Sequence, residues 1–343
     1  MTEVSESAIQ PGIAEMSSVV DSEIATLASV LDPQELGKQL NALPDLRMRW
    51  GNLRDVNFRL LKWHKGERCT LGIMLRTDSE GHEVIAKIYA KDRPDVYQAM
   101  DGLWLAGFNR SAEFSIPQPV AYVTSLRLLL QEKVEGLKVK EIFLKGEAKK
   151  PAEAAERSAR SLAHFHECAP RSGEISPVER ELARMECWTR RFSQLGGPLS
   201  DRAKVLFERL AQASSGFGEA EPYAGHGSFS PDHVFLVEHR TVTIDWDGFD
   251  AGDPARDVAR FIVATQRLAL GRLHSISSLD AVIEIFLKAY VSARGPGILQ
   301  RLPFQRAAAC LRLANNSAFR HRVRRWEEKV GLMLDEGLRV LPG

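Results

Sequence analysis

The sequence predicts an α+β fold, with a small antiparallel sheet first and a larger, mostly helical part after it. Two observations carry this expectation. Residues 56–134 consist mainly of short β-branched and aromatic runs crossed by a single helical stripe. Beyond Gly136 the apolar residues recur at helical spacing almost to the end of the chain. The chain has 343 residues, 44% of them hydrophobic and 27% charged, enough for a large core divided between two parts.

Leu31-Asp32-Pro33-Gln34-Glu35-Leu36 is a helix start, with Asp32 as N-cap, Pro33 as first helical residue and Glu35 as capping-box partner. Leu36, Leu40 and Leu43 continue it as an apolar stripe. Strands follow at Phe58–Trp63, Cys69–Leu75 and Val84–Tyr89, with a turn at Thr77–Gly81 and Lys87 inside the third strand. Arg93–Phe108 is helical, Ile116-Pro117-Gln118-Pro119 interrupts it, and Val120–Val123 and Leu126–Val134 are further strands. Helices are expected over Ala152–His166, Arg180–Phe192 and Asp201–Ala213, then a hairpin pairing Val234–Val237 with Val242–Ile244, then helices from Pro254 to Leu341. Trp63, Trp104, Trp188 and Trp326 are expected in the core or between its two parts.

Net charge is +1 but unevenly spread: residues 1–50 carry −5 and residues 260–343 carry +8. The basic C-terminal part should draw anions rather than polycations. Its densest run, Arg320-His321-Arg322-Val323-Arg324-Arg325, is expected on a solvated helix face paired with Glu327 and Glu328, where a protein partner could dock. Nucleic acid is disfavoured by the near-zero total charge and the lack of a recognition motif. The first stretch lacks the basic start and apolar run of a signal peptide, and no apolar run reaches about 18 residues, so the expectation is a cytoplasmic protein with no membrane span. Cys69, Cys168, Cys187 and Cys310 are scattered without a C-x-x-C pair, so free thiols are expected rather than a zinc site.

The chemistry concentrates between His226 and Asp257. His226-Gly227-Ser228 and Ser230-Pro231-Asp232-His233 form a polar loop that runs into the apolar hairpin. Ile244-Asp245-Trp246-Asp247 leaves the hairpin, and Gly252-Asp253-Pro254-Ala255-Arg256-Asp257 follows. The hairpin returns Asp245 to the edge of the sheet at which the loop enters. Carboxylate oxygens there suit a hard divalent cation such as Mg²⁺ or Mn²⁺, which in turn can hold phosphates.

This order resembles the aminoglycoside phosphotransferase and choline kinase-like family, whose pattern is H-G-D-x-x-x-x-N, an apolar hairpin, I-D-[WF], then G-D-P-x-x-D. Ala86-Lys87-Ile88, Ile116–Pro119, the hinge-like Leu128–Gly136 and Ser161-Leu162-Ala163-His164-Phe165-His166 match further motifs, over roughly residues 55–300. The resemblance implies a bilobal protein kinase-like fold. Together with the acidic composition of the first stretch and the helix start at Asp32, it divides the chain into an acidic disordered tail (1–25), a helical extension (26–50), a nucleotide-binding sheet lobe (51–135) and a helical lobe (136–343) with a catalytic-loop hairpin at 226–247. It implies that Lys87 pairs with phosphates of ATP or GTP, that the backbone of Glu132 and Val134 meets the base, and that Asp245 ligates the metal. Asp257, His166 and His226 become structural ties of the loop.

Two positions depart from the pattern. Ser228 stands where the family has its catalytic aspartate, and His233 where it has its metal-binding asparagine. The helix glutamate that pairs with the lysine falls on Gln98 by ungapped count. A general base contributes about 10²–10⁴-fold, whereas phosphoryl transfer leans on positioning and charge stabilisation, so loss of the aspartate need not end turnover. Ser228, Asp232 and Asp247 are the catalytic candidates, and Asp245 and His233 the metal ligands. The expected activity is nucleotide-dependent phosphorylation of a hydroxyl on a neutral or anionic small molecule rather than on a polycationic aminoglycoside. The alternative is a pseudokinase that binds nucleotide or a partner without transfer.

Overall fold

The computed structural model describes residues 21–147, 149–171, 175, 177–217, 221–320 and 322–341. In chain order they form α1 (Leu27–Leu31), α2 (Pro33–Asn41), α3 (Pro44–Trp50), β1 (Leu53–His64), β2 (Arg68–Thr77), β3 (Gly81–Tyr89), α4 (Pro94–Leu105), β4 (Phe114–Ser115), β5 (Pro119–Val123), β6 (Leu128–Glu132) and β7 (Leu137–Lys138). Then come α5 (Val139–Lys145), α6 (Lys150–Cys168), α7 (Val178–Ser193), α8 (Gly197–Ser214), β8 (Tyr223–Gly225), β9 (Val234–Val237), β10 (Arg240–Thr243) and β11 (Asp250–Gly252). The last helices are α9 (Pro254–Arg272), α10 (Asp280–Arg294), α11 (Leu302–Phe319) and α12 (Trp326–Val340).

Two compact units result. The first takes the described residues up to Leu105 together with Pro117–Val134. Its antiparallel sheet has the order β1-β2-β3-β6-β5. Alternation along β2 and β3 buries Leu71, Ile73, Leu75, Val84, Ala86 and Ile88 against Leu36 and Leu40 of α2. The N-terminal helices are therefore part of this unit's core rather than an extension preceding it. Asp32 caps α2 as expected, accepting the backbone N–H of Gln34 at 2.9 Å and of Glu35 at 3.3 Å. The capping box does not close: the Glu35 carboxylate accepts from Gln39 one turn on, and the Asp32 N–H bonds to Ala28 of the preceding helix.

The expected acidic tail lies outside the described residues up to position 20. Its last residues are packed instead. Asp21 and Ile24 are buried, and Asp21 accepts the Gly66 N–H at 2.8 Å and the Trp63 Nε1–H at 3.0 Å. Trp63 reaches that bond from an exposed position on β1, so it is not the core residue its composition suggests.

The second unit takes Ala106–Ile116 and the described residues from Glu135 onward. Ala106–Ile116 joins it because Phe114 and Ser115 pair in parallel with Thr241 and Val242. That pairing gives a sheet of order β4-β10-β9-β7, and a two-stranded ribbon joins β11 to β8. Around these the helices bury a core that includes Phe192, Leu206, Leu210, Val263, Phe304, Leu311 and Leu334. The basic run differs from expectation. Helix α11 stops at Phe319, and Arg322, Arg324 and Arg325 lie in the connection to α12. Arg325 takes φ +58° there, its guanidinium holding Glu328, while Arg322 bonds the Ala318 carbonyl. Among the described residues all four cysteines are free, and no helix is long and apolar enough to cross a membrane.

Candidate active site

In the first unit, Lys87 occupies an interior strand, between Thr70 of β2 and Leu129 of β6, and only 5% of it is exposed. It is not the solvent-seeking edge lysine that an isolated strand would suggest. Glu132 ends β6 and is locked to the I-P-Q-P segment. Its N–H donates to the Gln118 carbonyl at 2.9 Å, and its carboxylate accepts the Gln118 N–H at 3.0 Å. Val134 is half-buried just beyond, and Gln98 is exposed on α4.

In the second unit the ribbon β8–β11 places His226, and the hairpin β9–β10 closes the loop behind it. The His233 N–H donates to the Ser230 carbonyl at 2.9 Å, and the Ile244 N–H to the His233 carbonyl at 2.8 Å. Gly227 has φ +76°, and a Cβ on it would lie 1.9 Å from the Gly248 carbonyl oxygen. Only glycine permits so close an approach of the two segments.

Hydrogen bonds fix the tautomers. His226 is buried, and its Nε2–H donates to the Ile244 carbonyl at 2.9 Å. Its Nδ1 must then accept, and it faces the Ser228 N–H at 3.2 Å and the Ser228 hydroxyl at 3.3 Å. Burial pushes the His226 pKa down to about 4, so the ring is neutral at pH 7. His233 donates Nδ1–H to the Ser228 carbonyl at 2.9 Å. That turns its Nε2 toward the Asp245 carboxylate, 3.4 Å away. Asp245 holds a left-handed conformation, φ +69°, one that aspartate tolerates better than bulkier residues. Trp246 behind it is buried, its Nε1–H on the Thr243 carbonyl at 2.9 Å.

Asp257 on α9 anchors the loop, accepting the N–H of His226 at 2.7 Å and of Gly227 at 3.0 Å. His166 lies 3.6 Å from the same carboxylate, and its Nδ1 lies 2.7 Å from the Tyr290 hydroxyl. Burial alone would raise the Asp257 pKa, but His166, Arg256 and Arg260 outweigh it and hold the group well below the usual carboxylate range.

Ser228, His233 and Asp245 are thus brought together. Asp232 is engaged elsewhere, its carboxylate 2.8 Å from the Lys140 ammonium of α5, while the Lys140 N–H donates to the Pro231 carbonyl at 3.0 Å. Asp247 is half-buried in the 3₁₀ turn Trp246–Gly248. The motif reading gave no role to Arg256, which lies inside it, and did not include Lys140, Arg260 or Arg312. Arg256 and Arg260 share a face of α9 at spacing i, i+4, a signal present in the sequence; Arg312 and Lys140 carry none.

Among the described residues no group of three or more His, Cys, Asp or Glu is arranged to hold a metal ion. One carboxylate and one imidazole do not build a resident protein-only site. They do suit a divalent cation that takes its remaining ligands from phosphates and water, although imidazole is a softer donor than Mg²⁺ prefers.

A five-stranded antiparallel sheet unit, a helical unit with an H-G-S loop, and an I-D-W turn off a hairpin define a protein kinase-like fold. The chain belongs to the phosphotransferase enzyme family (APH), whose model matches residues 74–297. Comparison with curated proteins gives no significant match. Among solved structures it is similar to a choline/ethanolamine kinase family protein from Mesorhizobium loti, at 15% identity and TM-score 0.58, covering 90% of this chain and 95% of that one. It is similar also to a thermostable mutant of aminoglycoside phosphotransferase APH(4)-Ia in ternary complex with AMP-PNP and hygromycin B, at 14% identity and TM-score 0.61, covering 90% and 99%. ADP-bound aminoglycoside phosphotransferase APH(2'')-Ib matches at 15% identity and TM-score 0.57, covering 94% and 100%. At these identities the likeness is one of fold.

Proposed function

We propose that the protein transfers the terminal phosphoryl group of ATP or GTP to a hydroxyl of a neutral or anionic small molecule. The observation that carries this reading is the catalytic-loop geometry: Asp257 clamps His226 and Gly227, and Asp245 faces His233 at 3.4 Å beside Ser228. ADP- and AMP-PNP-bound relatives of the same fold support a nucleotide as phosphoryl donor.

In this reading Lys87 pairs with the nucleotide phosphates, and the backbone at Glu132 and Val134 takes the base. Asp245, with His233, would hold a Mg²⁺ or Mn²⁺ ion, which supplies charge neutralisation on the transferring phosphoryl group. Ser228 spends its hydroxyl hydrogen on His226, so its oxygen lone pairs remain to accept a hydrogen bond from the acceptor hydroxyl. It positions the acceptor rather than taking its proton. Asp232 pairs with Lys140, and Asp247, half-buried in the 3₁₀ turn after Asp245, is the carboxylate proposed for a base role. The +8 charge of residues 260–343 disfavours a polycationic aminoglycoside as acceptor.

The test is ADP or GDP release with Mg²⁺ or Mn²⁺ across neutral, anionic and polycationic hydroxyl compounds. Turnover that Asp245→Asn abolishes supports the reading. If the wild type never turns over and Ser228→Asp alone does, the protein is a pseudokinase and the reading falls.

A further inference from the structure

Helices α7, α9 and α11 enclose a cavity of about 40 Å³ within the helical unit. It has room for roughly three waters, the size of a single phosphate or carboxylate group rather than of a whole sugar. Four arginines line it, Arg184, Arg256, Arg260 and Arg312, against one carboxylate, Glu181.

The arginines are unequally partnered. Arg256 is 4% exposed and bonded to Asp250, with Glu181 at 3.4 Å, yet its buried Nε has no hydrogen-bond partner among the described residues. Arg260 donates to the Gly227 carbonyl and stands 3.9 Å from Asp257, a carboxylate already committed to two backbone N–H groups. Arg312 reaches the same carbonyl at 3.4 Å, and among the described residues no carboxylate lies within 4.0 Å of it. Burial and the neighbouring arginines hold the pKa of Arg260 well below its ordinary range and lower that of Arg312. Like charges gathered in a half-buried pocket are costly unless an anion joins them, and guanidinium forks fit carboxylate and phosphate oxygens.

We infer that this pocket is an oxyanion subsite, holding a phosphate or carboxylate group carried by the acceptor while the hydroxyl to be phosphorylated is presented at Ser228. The location supports it, because Arg260 and Arg312 both grip the carbonyl of Gly227, the residue before Ser228. The acceptor assignment rests on the phosphotransfer reading above; the anion site itself does not.

Two measurements separate them. In the first, inorganic phosphate is titrated against the full-length protein in a thermal-shift assay at ionic strength matched with chloride. The midpoint should rise in phosphate, Arg312→Gln and Arg184→Gln should each remove most of the rise, and Arg312→Lys should keep part of it. No rise over chloride, or an undiminished rise in a folded Arg312→Gln, overturns the subsite. In the second, ADP release is compared for phosphorylated or carboxylated hydroxy compounds and their neutral parents. The anionic member should be favoured by about 100-fold in kcat/KM, and Arg312→Gln should erase that preference. Equal use of neutral parents by wild type and variant overturns the acceptor assignment while phosphotransfer stands. Arginine-dependent phosphate binding without turnover of any acceptor upholds the anion subsite and removes the phosphotransfer reading instead.

Discussion

The Asp257 carboxylate accepts the backbone N–H of His226 at 2.7 Å, so a side chain on α9 sets the path of a loop that begins 31 residues earlier. Its second oxygen takes the next N–H, that of Gly227, at 3.0 Å. Two buried peptide donors thus depend on one buried carboxylate, and that carboxylate stays ionised through His166, Arg256 and Arg260.

Replacing Asp257 by asparagine should destabilise the protein by about 3–5 kcal/mol, the usual cost of leaving buried cations without their counter-charge. The sign with pH follows from the lowered pKa. The carboxylate's contribution is complete above its unfolded value near 4 and is lost as pH falls toward the folded value. Urea unfolding of wild type and Asp257→Asn should differ fully at pH 7, and the gap should narrow below about pH 4. A gap that does not narrow on acidification would mean the carboxylate charge is not what holds the loop.

The neutral, buried His226 gives a second pH dependence. Its pKa is depressed to about 4, so between there and its ordinary value near 6.5 the unfolded chain binds a proton that the folded chain refuses. Stability should fall as pH drops through that window, by about 3 kcal/mol from this group, with His166 adding in the same direction because burial lowers it too. His226→Gln should lower stability at pH 7 through the lost Ile244 bond, yet flatten the stability profile between pH 6.5 and 4. Denaturant midpoints measured across that range check it, and an unchanged slope would show that His226 is protonated in the folded protein.

How much of this was legible depends on how far apart the partners lie in the chain. The β9–β10 hairpin, Asp245 at its exit and the start of α9 at Pro254 could be read because each is a local pattern. The Asp253 side chain accepts the Ala255 N–H at 2.8 Å, with Pro254 first in the helix, as the G-D-P order implies. Arg312 gave no signal, because what makes it notable is the Gly227 carbonyl 85 residues away. Asp232 and Asp247 looked alike in the sequence, and the bond of Asp232 to the ammonium of Lys140, 92 residues distant, left no local trace. The arginine run misled in the opposite way. Charge spacing suggested a continuous helix, but no apolar stripe crosses Arg320–Arg325, and the chain turns there with Arg325 at positive φ.

Gly227 should tolerate no side chain. A Cβ there would meet the Gly248 carbonyl oxygen at 1.9 Å, backbone against backbone, with φ at +76° besides. Neither segment can yield: Asp257 and two arginines hold the first, and the second follows the buried Trp246. Gly227→Ala should cost about 3 kcal/mol or more and remove activity with it, read by chemical denaturation. Gly102→Ala, at an exposed position of α4 with nothing within 4 Å of its added Cβ, is the control and should be neutral or slightly stabilising.

The two aspartates that flank the hairpin, Asp232 before it and Asp245 after it, should separate cleanly when each is neutralised. Asp232 is about half exposed and bound to Lys140, so Asp232→Asn removes a surface ion pair worth at most about 1 kcal/mol. Its effect on turnover should stay within about tenfold, below the range of a lost general base. Asp245 sits at positive φ facing His233 at 3.4 Å, where its charge is proposed to hold the cation that neutralises phosphate. Asp245→Asn keeps the shape but removes the anionic member of the proposed donor pair, and the metal–nucleotide complex should then lose most of its affinity. Thermal shift with Mg²⁺ or Mn²⁺ and ATP reads this without any acceptor: wild type and Asp232→Asn should gain stability in parallel, and Asp245→Asn should gain little. Equal shifts in all three would remove Asp245 from the metal site, and a loss confined to Asp232→Asn would move the site to the Lys140 side of the loop.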